Sequence, residues 1–285
     1  MNKKAILYII GTGRSGTTLV DILLGNDDQM FSGGELNRLP KRAGIAPGRK
    51  KGDKAYSFWN IISEKLSNQF SLEMIFRLSE NIEYHSGFFH RKRRFDKHYQ
   101  LYLKEFFALI FDAIGEDILI DSSKYPMRAY HLANEFPEEF RYCIYVKKHP
   151  ISVLRSFQKK GLEQPPKNWM IVNIYLVTVH LLSSFVVNKL RKSGVKVYEV
   201  NFEDVVNSPI VFVNNIERAF DLNLSDLKEK LEVGLPLKTN MLFDGNRIRL
   251  KKEVKILSNK PPSDWKLLEH FVYFCNKFWW KTKNK

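Results

Sequence analysis

Residues 11 to 20 read GTGRSGTTLV, set between the apolar run AILYII and the helix-like DILLGN. Gly11, Gly13 and Gly16 let the chain curl without Cβ clashes, so that consecutive backbone N–H groups face one point and form an anion nest. A helix beginning at Thr17 adds the positive end of its dipole, and Thr17 and Thr18 supply hydroxyl donors in its first turn. Nucleoside triphosphatases use the spacing G-x-x-x-x-G-K-[ST], with the lysine on the outer phosphates and the hydroxyl on magnesium. Here Thr17 stands where that lysine belongs. Arg14 offers a substitute, because a guanidinium forks onto phosphate or sulfate oxygens without a metal.

The whole string x-G-R-S-G-T-T-L resembles the 5′-phosphosulfate-binding loop of sulfotransferases that use 3′-phosphoadenosine 5′-phosphosulfate (PAPS). The resemblance implies that Gly13, Arg14, Ser15, Gly16, Thr17 and Thr18 hold the donor. In that family a second motif, an Arg-Asp-Pro-like triplet followed by a serine six residues after the proline, binds the 3′-phosphate. YVKKHPISVLRSF fits it with Pro150 and Ser156, but has Lys148 for the arginine and His149 for the aspartate. Lysine keeps the charge and loses the planar fork. DSSKYP (121 to 126) and FDGNRIR (243 to 249) are similar to strand-end and late Gly-Asn-x-x-Arg segments of the bacterial, carbohydrate and tyrosylprotein branches. They imply Lys124 beside the reacting group and Asn246, Arg247 and Arg249 at the nucleotide. VNFEDVVNSP (200 to 209) resembles a structural strand-turn-helix of the family.

Sulfuryl transfer requires the acceptor to lose a proton, so a carboxylate or histidine must reach it. Glu35, in FSGGELNRLP, stands where the carbohydrate and tyrosylprotein branches carry a catalytic glutamate. Its bland alternative is an exposed loop residue. Arg14 and Lys124 are the cations expected to meet the charge that builds on the sulfuryl and bridging oxygens. PAPS is the implied co-substrate, with no metal: His85, His90, His98, His131 and His180 have no metal-ligand spacing.

These residues need a scaffold. Ala5 to Ile10, Ile118 to Asp121, Tyr142 to Val146 and Val195 to Val200 read as buried strands, and MFS at 30 to 32 as a short one. Helical spacing covers Thr17–Leu24, Tyr99–Ile114, Arg128–Glu135, Ile151–Lys159, Asn168–Arg191 and Val211–Phe220. The alternation predicts an α/β fold, a P-loop-type parallel β-sheet flanked by helices on both faces. One domain is expected over 1–285, and the resemblance implies an acceptor-recognition insertion around 40–115; residues 40 to 55 read as a mobile surface loop, and LEQPPKNW (162 to 169) as a break between helices.

The 285 residues are 44% hydrophobic and 13% aromatic, enough for a sizeable core. The net charge of +15 favours anionic partners. Basic runs at 40 to 54 and 90 to 98 read first as solvated loops. No run reaches the length of a membrane span and no signal peptide is evident, so a cytoplasmic location is expected. Cys143 and Cys275 form no framework. The tail WKLLEHFVYFCNKFWWKTKNK is aromatic, amphipathic and basic: a packed helix, or a peripheral membrane contact. The expected partner is a glycan, lipid or small-molecule acceptor, not nucleic acid. Two other readings stay open: a nucleoside or small-molecule kinase, and a basic nucleic-acid-binding protein.

Overall fold

The seven residues of β1 (Ala5–Gly11) are all buried, as a strand covered on both faces must be. Ile6, Tyr8 and Ile10 face one apolar layer, and Ala5, Leu7 and Ile9 face the other. This computed structural model describes residues 4–90, 95–159, 165–239 and 241–280.

From β1 the chain passes through α1 (Thr17–Leu24) to β2 (Met30–Gly34). It then makes 3₁₀ turns and three helices, α2 (Lys54–Ser67), α3 (Leu72–Glu83) and α4 (Lys97–Ala113). The core continues with β3 (Ile118–Lys124), α5 (Pro126–Glu135), β4 (Phe140–Lys147), α6 (Pro150–Gln158), α7 (Trp169–Lys192) and β5 (Lys196–Asn201). Helices α8 (Phe202–Asn207), α9 (Pro209–Phe220) and α10 (Ser225–Glu232), a hairpin of β6 (Leu237–Lys238) and β7 (Glu253–Val254), and α11 (Leu267–Trp280) complete it.

The main sheet has the order β2-β3-β1-β4-β5 and is parallel throughout. Because β1 lies between β3 and β4, successive connections leave it in opposite directions, and a crevice opens at the carboxyl ends beside it. One apolar layer is built from α2, α4 and α5 residues such as Trp59, Phe106 and Leu132. The other is built from α1 and α9 residues such as Ile22, Phe212 and Phe220. The α/β class, the strands and the helices expected around them are therefore present, their ends shifted by up to three residues.

Three sequence expectations change. Residues 40 to 55 are not a free loop: Ala46 is buried, Arg49 donates to the Arg249 carbonyl at 2.8 Å, and α2 begins at Lys54. Helices α2 and α3 were not expected, although Ala55, Trp59, Ile62 and Leu66 repeat at helical spacing and Ser71 caps α3 by accepting from the Met74 amide. Helix α7 is long and apolar enough to cross a membrane by length and composition, against the expectation of no such stretch. Here it packs instead, burying Val172, Leu176, Val179, Val186 and Leu190. Residues 91–94 of the basic run 90 to 98, the first three residues of LEQPPKNW (162–164) and the last five residues of the tail lie outside the described residues.

Candidate active site

A cavity of about 560 Å³ opens at the carboxyl ends of β1, β3 and β4. Its floor is the glycine loop. Gly16 turns there at φ +93°, and a Cβ would strike the Phe202 ring, so glycine is required by both conformation and space. Arg14 also lies in the left-handed region, at φ 69°, and lines the cavity. So does Lys124, at φ 74°. Non-glycine residues rarely hold this conformation, and it costs of order 1–3 kcal/mol each, which the surrounding fold must offset. Two cations that line one cavity are held that way.

Glu35 follows β2 at the cavity wall and is 3% exposed. Both its oxygens are engaged: Lys124 Nζ reaches Oε1, and Arg38 Nε lies 2.8 Å from Oε2. Arg38 extends on to Asp244 at 3.3 Å, tying this corner to the segment that carries Asn246 and Arg247. Behind it, Asp21 of α1 accepts from the Gly34 amide at 3.1 Å and from Ser122 Oγ at 2.6 Å, and also from Ser32 Oγ. Burial pushes the Asp21 carboxyl up to about 7, against those hydrogen bonds. Asp21 thus fastens β2 and β3 at the point where Glu35 and Lys124 emerge.

Asp121, the acid a kinase reading would place on magnesium, is spent elsewhere. It accepts from Arg128 at 3.0 and 3.1 Å and from the Ser123 amide at 2.9 Å. Ser123 Oγ also donates to Asp121 and accepts from the Asn37 amide at 3.0 Å.

Lys148 and Ser156 also line the cavity, with Arg247, Asn246 and Thr18. Lys148 Nζ sits 4.4 Å above the Phe202 ring, and burial pushes its ammonium below the ordinary lysine value. An arriving phosphate would reverse that cost. The Asn246 amide donates to Thr18 Oγ1 at 3.2 Å, which docks the late segment on α1. His149, at the family's aspartate position, points away: it stacks on Tyr273 of α11 at 5.4 Å.

Most residues marked in the sequence converge here; two do not. Arg249 is buried, donating to the carbonyls of Gly245 at 2.6 Å and Pro47 at 2.9 Å, and is not on the cavity wall. Ser15 is fully buried, and both its hydroxyl, at 2.7 Å, and its amide, at 3.2 Å, donate to the Thr12 carbonyl, so it turns neither donor to the cavity. Arg155, one residue before Ser156, is ion-paired to Glu269 and Asp264 and is not on the cavity wall.

The wall also contains residues that motif reading passed over: Arg38, Tyr84, His85, Tyr125, Phe157, Lys167 and Tyr175. Arg38 was visible three residues beyond Glu35, the spacing of one helical turn. The aromatic ones had no local signal. Tyr84 and Tyr125 rings lie 4.5 Å apart and His85 lies 5.0 Å from Tyr125, forming an aromatic part of the wall. Burial lowers His85 to about 4, so it is neutral at neutral pH. Tyr175 Oη accepts from the Gly13 amide at 2.7 Å, occupying one donor of the nest.

Similar architecture occurs in solved structures. The sulfotransferase domain from the curacin biosynthetic pathway superposes with a TM-score of 0.53 at 14% identity, over 96% of this chain and 98% of that one. The sulfotransferase domain of the Synechococcus PCC 7002 olefin synthase gives 0.50 at 16%, over 99% and 96%. The sulfotransferase STF1 from Mycobacterium tuberculosis gives 0.50 at 17%, over 81% and 71%. At such identities the likeness speaks for the fold alone. No curated protein matches the chain. The model of the sulfotransferase family matches residues 7–226, from within β1 to the start of α10 and so across the loop, Glu35, Lys124 and Lys148; the chain belongs to the sulfotransferase family.

Proposed function

We propose that the protein moves a sulfuryl group from PAPS to a hydroxyl or amine, with Glu35 as the base and without a metal. The observation that carries this is one cavity joining the glycine loop and Arg14 to the Glu35–Lys124 pair. Gly13, Gly16, Thr17 and Thr18 would hold the 5′-phosphosulfate, and Lys148, Ser156 and Arg247 the 3′-phosphate, with Asn246 beside the nucleotide. A sulfuryl oxygen arriving near Lys124 competes with Glu35 for that ammonium. Once Lys124 turns to the donor, Glu35 Oε1 is released to take the acceptor proton while Arg38 holds Oε2 in place. The acceptor oxygen then bonds to sulfur, the bond from sulfur to the bridging oxygen breaks, and 3′,5′-ADP leaves. Lys124 and Arg14 meet the charge left on that oxygen; losing one such donor typically costs about 3–4 kcal/mol of barrier stabilisation. A transferred SO₃ carries less charge than a phosphoryl group from ATP, so fixed cations can replace magnesium. The aromatic part of the wall around Tyr84, His85 and Tyr125 would take the acceptor, a carbohydrate, lipid or small molecule.

Calorimetry in chelator-treated buffer tests the reading. Tight binding of 3′,5′-ADP is expected. No binding there, with magnesium-dependent binding of ATP, would turn the assignment to the kinase alternative. Salt-sensitive binding to any polynucleotide without 3′,5′-ADP affinity would turn it to the nucleic-acid one.

A further inference from the structure

Away from the cavity, α11 carries a solvent-facing apolar stripe, Leu267, Phe271, Phe274 and Phe278, at the i, i+4, i+7, i+11 spacing of one helix face. Phe274 and Phe278 are 66% and 68% exposed. The opposite face is fixed to the protein: Val272 and Asn276 are buried, Asn276 donates to Asn173 Oδ1 of α7 at 2.7 Å, and Glu269 holds Arg155. The stripe does not stop at the helix. Phe271 packs edge-on against Trp169, 6.1 Å between rings, and Trp169 leads into the exposed Met170, Ile171 and Ile174 on the outer face of α7. Scattered single apolar residues are ordinary on a surface, but two adjoining stripes of this kind mark an interaction site.

The charge around the stripes selects the partner. Helix α7 contains no Asp or Glu, and the single acid of α11, Glu269, is buried and paired. Lys266 and Lys277 of the same region are exposed, and Lys277 Nζ lies 4.7 Å over the Phe274 ring with its charge turned outward. The sequence continues past Trp280 with Lys281, Lys283 and Lys285. A second copy of the chain fits poorly, because a two-fold contact would set Lys277 against the matching cations of a molecule that also carries a net charge of +15. We infer that the α7–α11 face docks on an anionic lipid bilayer, aromatic side chains in the headgroup boundary and lysines among the lipid charges. Lys167, three residues before Met170, and Tyr175, next to Ile174, line the cavity. Docking therefore brings the cavity mouth beside the lipid surface.

Vesicle flotation tests this with the full chain. The wild type is expected to float with phosphatidylcholine vesicles containing phosphatidylglycerol about tenfold more than with phosphatidylcholine alone, and less in high salt. Phe271→Ser with Phe274→Ser should lose nearly all of it, and Lys277→Ala should weaken it by about fivefold. Both variants change exposed side chains; equal thermal midpoints and equal 3′,5′-ADP affinity would show that fold and donor site are untouched, and keep this test separate from that of the reaction. Absence of wild-type flotation, or full flotation of the double variant, overturns the inference. A wild-type dimer in gel filtration that the double variant renders monomeric would instead assign the face to self-association, and also overturns it.

Discussion

Two clusters of cations and carboxylates stand at the carboxyl end of the sheet, built from the same residue types and put to opposite uses. In one, Glu35 meets Lys124 and Arg38. In the other, Arg128 meets Glu83 and Asp121, with Tyr99 Oη donating to Glu83 at 2.6 Å. The difference is access. Arg128 and Glu83 are 1% and 0% exposed, whereas Lys124 and Arg38 keep 20% and 30% of their side chains open to the cavity. A sealed cation cannot exchange partners, so Arg128 fastens α3 of the 40–115 segment to β3. An open one can trade its carboxylate for an incoming anion. Chemistry belongs to the cluster that a ligand can enter.

The largest expected effect separates the two. Glu35→Gln should lower turnover by roughly 10²–10⁴-fold while 3′,5′-ADP affinity stays nearly unchanged, since the amide keeps the shape and cannot take a proton. Stability should fall by about 1 kcal/mol or less, because both partners are partly solvated. Full activity would move the base elsewhere, His85 being a neutral candidate on the wall. Arg128→Met should do the reverse. Leaving Glu83 and Asp121 buried without their cation costs about 3–5 kcal/mol, read by urea denaturation, with 3′,5′-ADP affinity of the folded fraction retained. Unchanged stability with lost turnover would make the sealed cluster part of the machinery and end the contrast.

The same contrast explains what could be read from the sequence. The loop, Glu35, Lys124 and Lys148 were legible because each sits at the end of a strand, where a local string fixes both backbone and direction. Arg249 was marked from its string as well, but its side-chain direction is set by the Pro47 carbonyl, about two hundred residues away in the chain. Arg128 and Glu83 left no trace as a pair, since only the packing of α3 on α5 brings them together. Tyr84 with His85, Tyr125 and Tyr175 come from three separate places in the chain and form a wall only in three dimensions. The parallel sheet survived such ignorance, for apolar runs and glycine punctuation are local signals.

A smaller effect tests the Lys148 part of the cavity. Lys148→Ala should weaken 3′,5′-ADP binding by about 10- to 100-fold, the range expected for one charged hydrogen bond. Nucleotides without a 3′-phosphate should bind wild type and variant alike. Lys148→Arg should restore the affinity, because the fork suits a phosphate. If the loss is equal with and without the 3′-phosphate, Lys148 contributes field rather than contact.

The smallest effect concerns Tyr175, whose hydroxyl occupies the Gly13 amide that the proposed donor would engage. Burial pushes this phenol up to about 12, so it stays protonated and accepts the amide through a lone pair. An anion entering the nest must displace it, giving up one neutral hydrogen bond worth about 0.5–1.5 kcal/mol. Tyr175→Phe removes that competitor and leaves the ring contact with Phe157 in place, 5.7 Å between centroids. Affinity for 3′,5′-ADP should therefore rise by about two- to tenfold, measured by calorimetry beside the wild type. A fall would mean that the hydroxyl turns its proton toward the bound anion and belongs with the open cluster's donors.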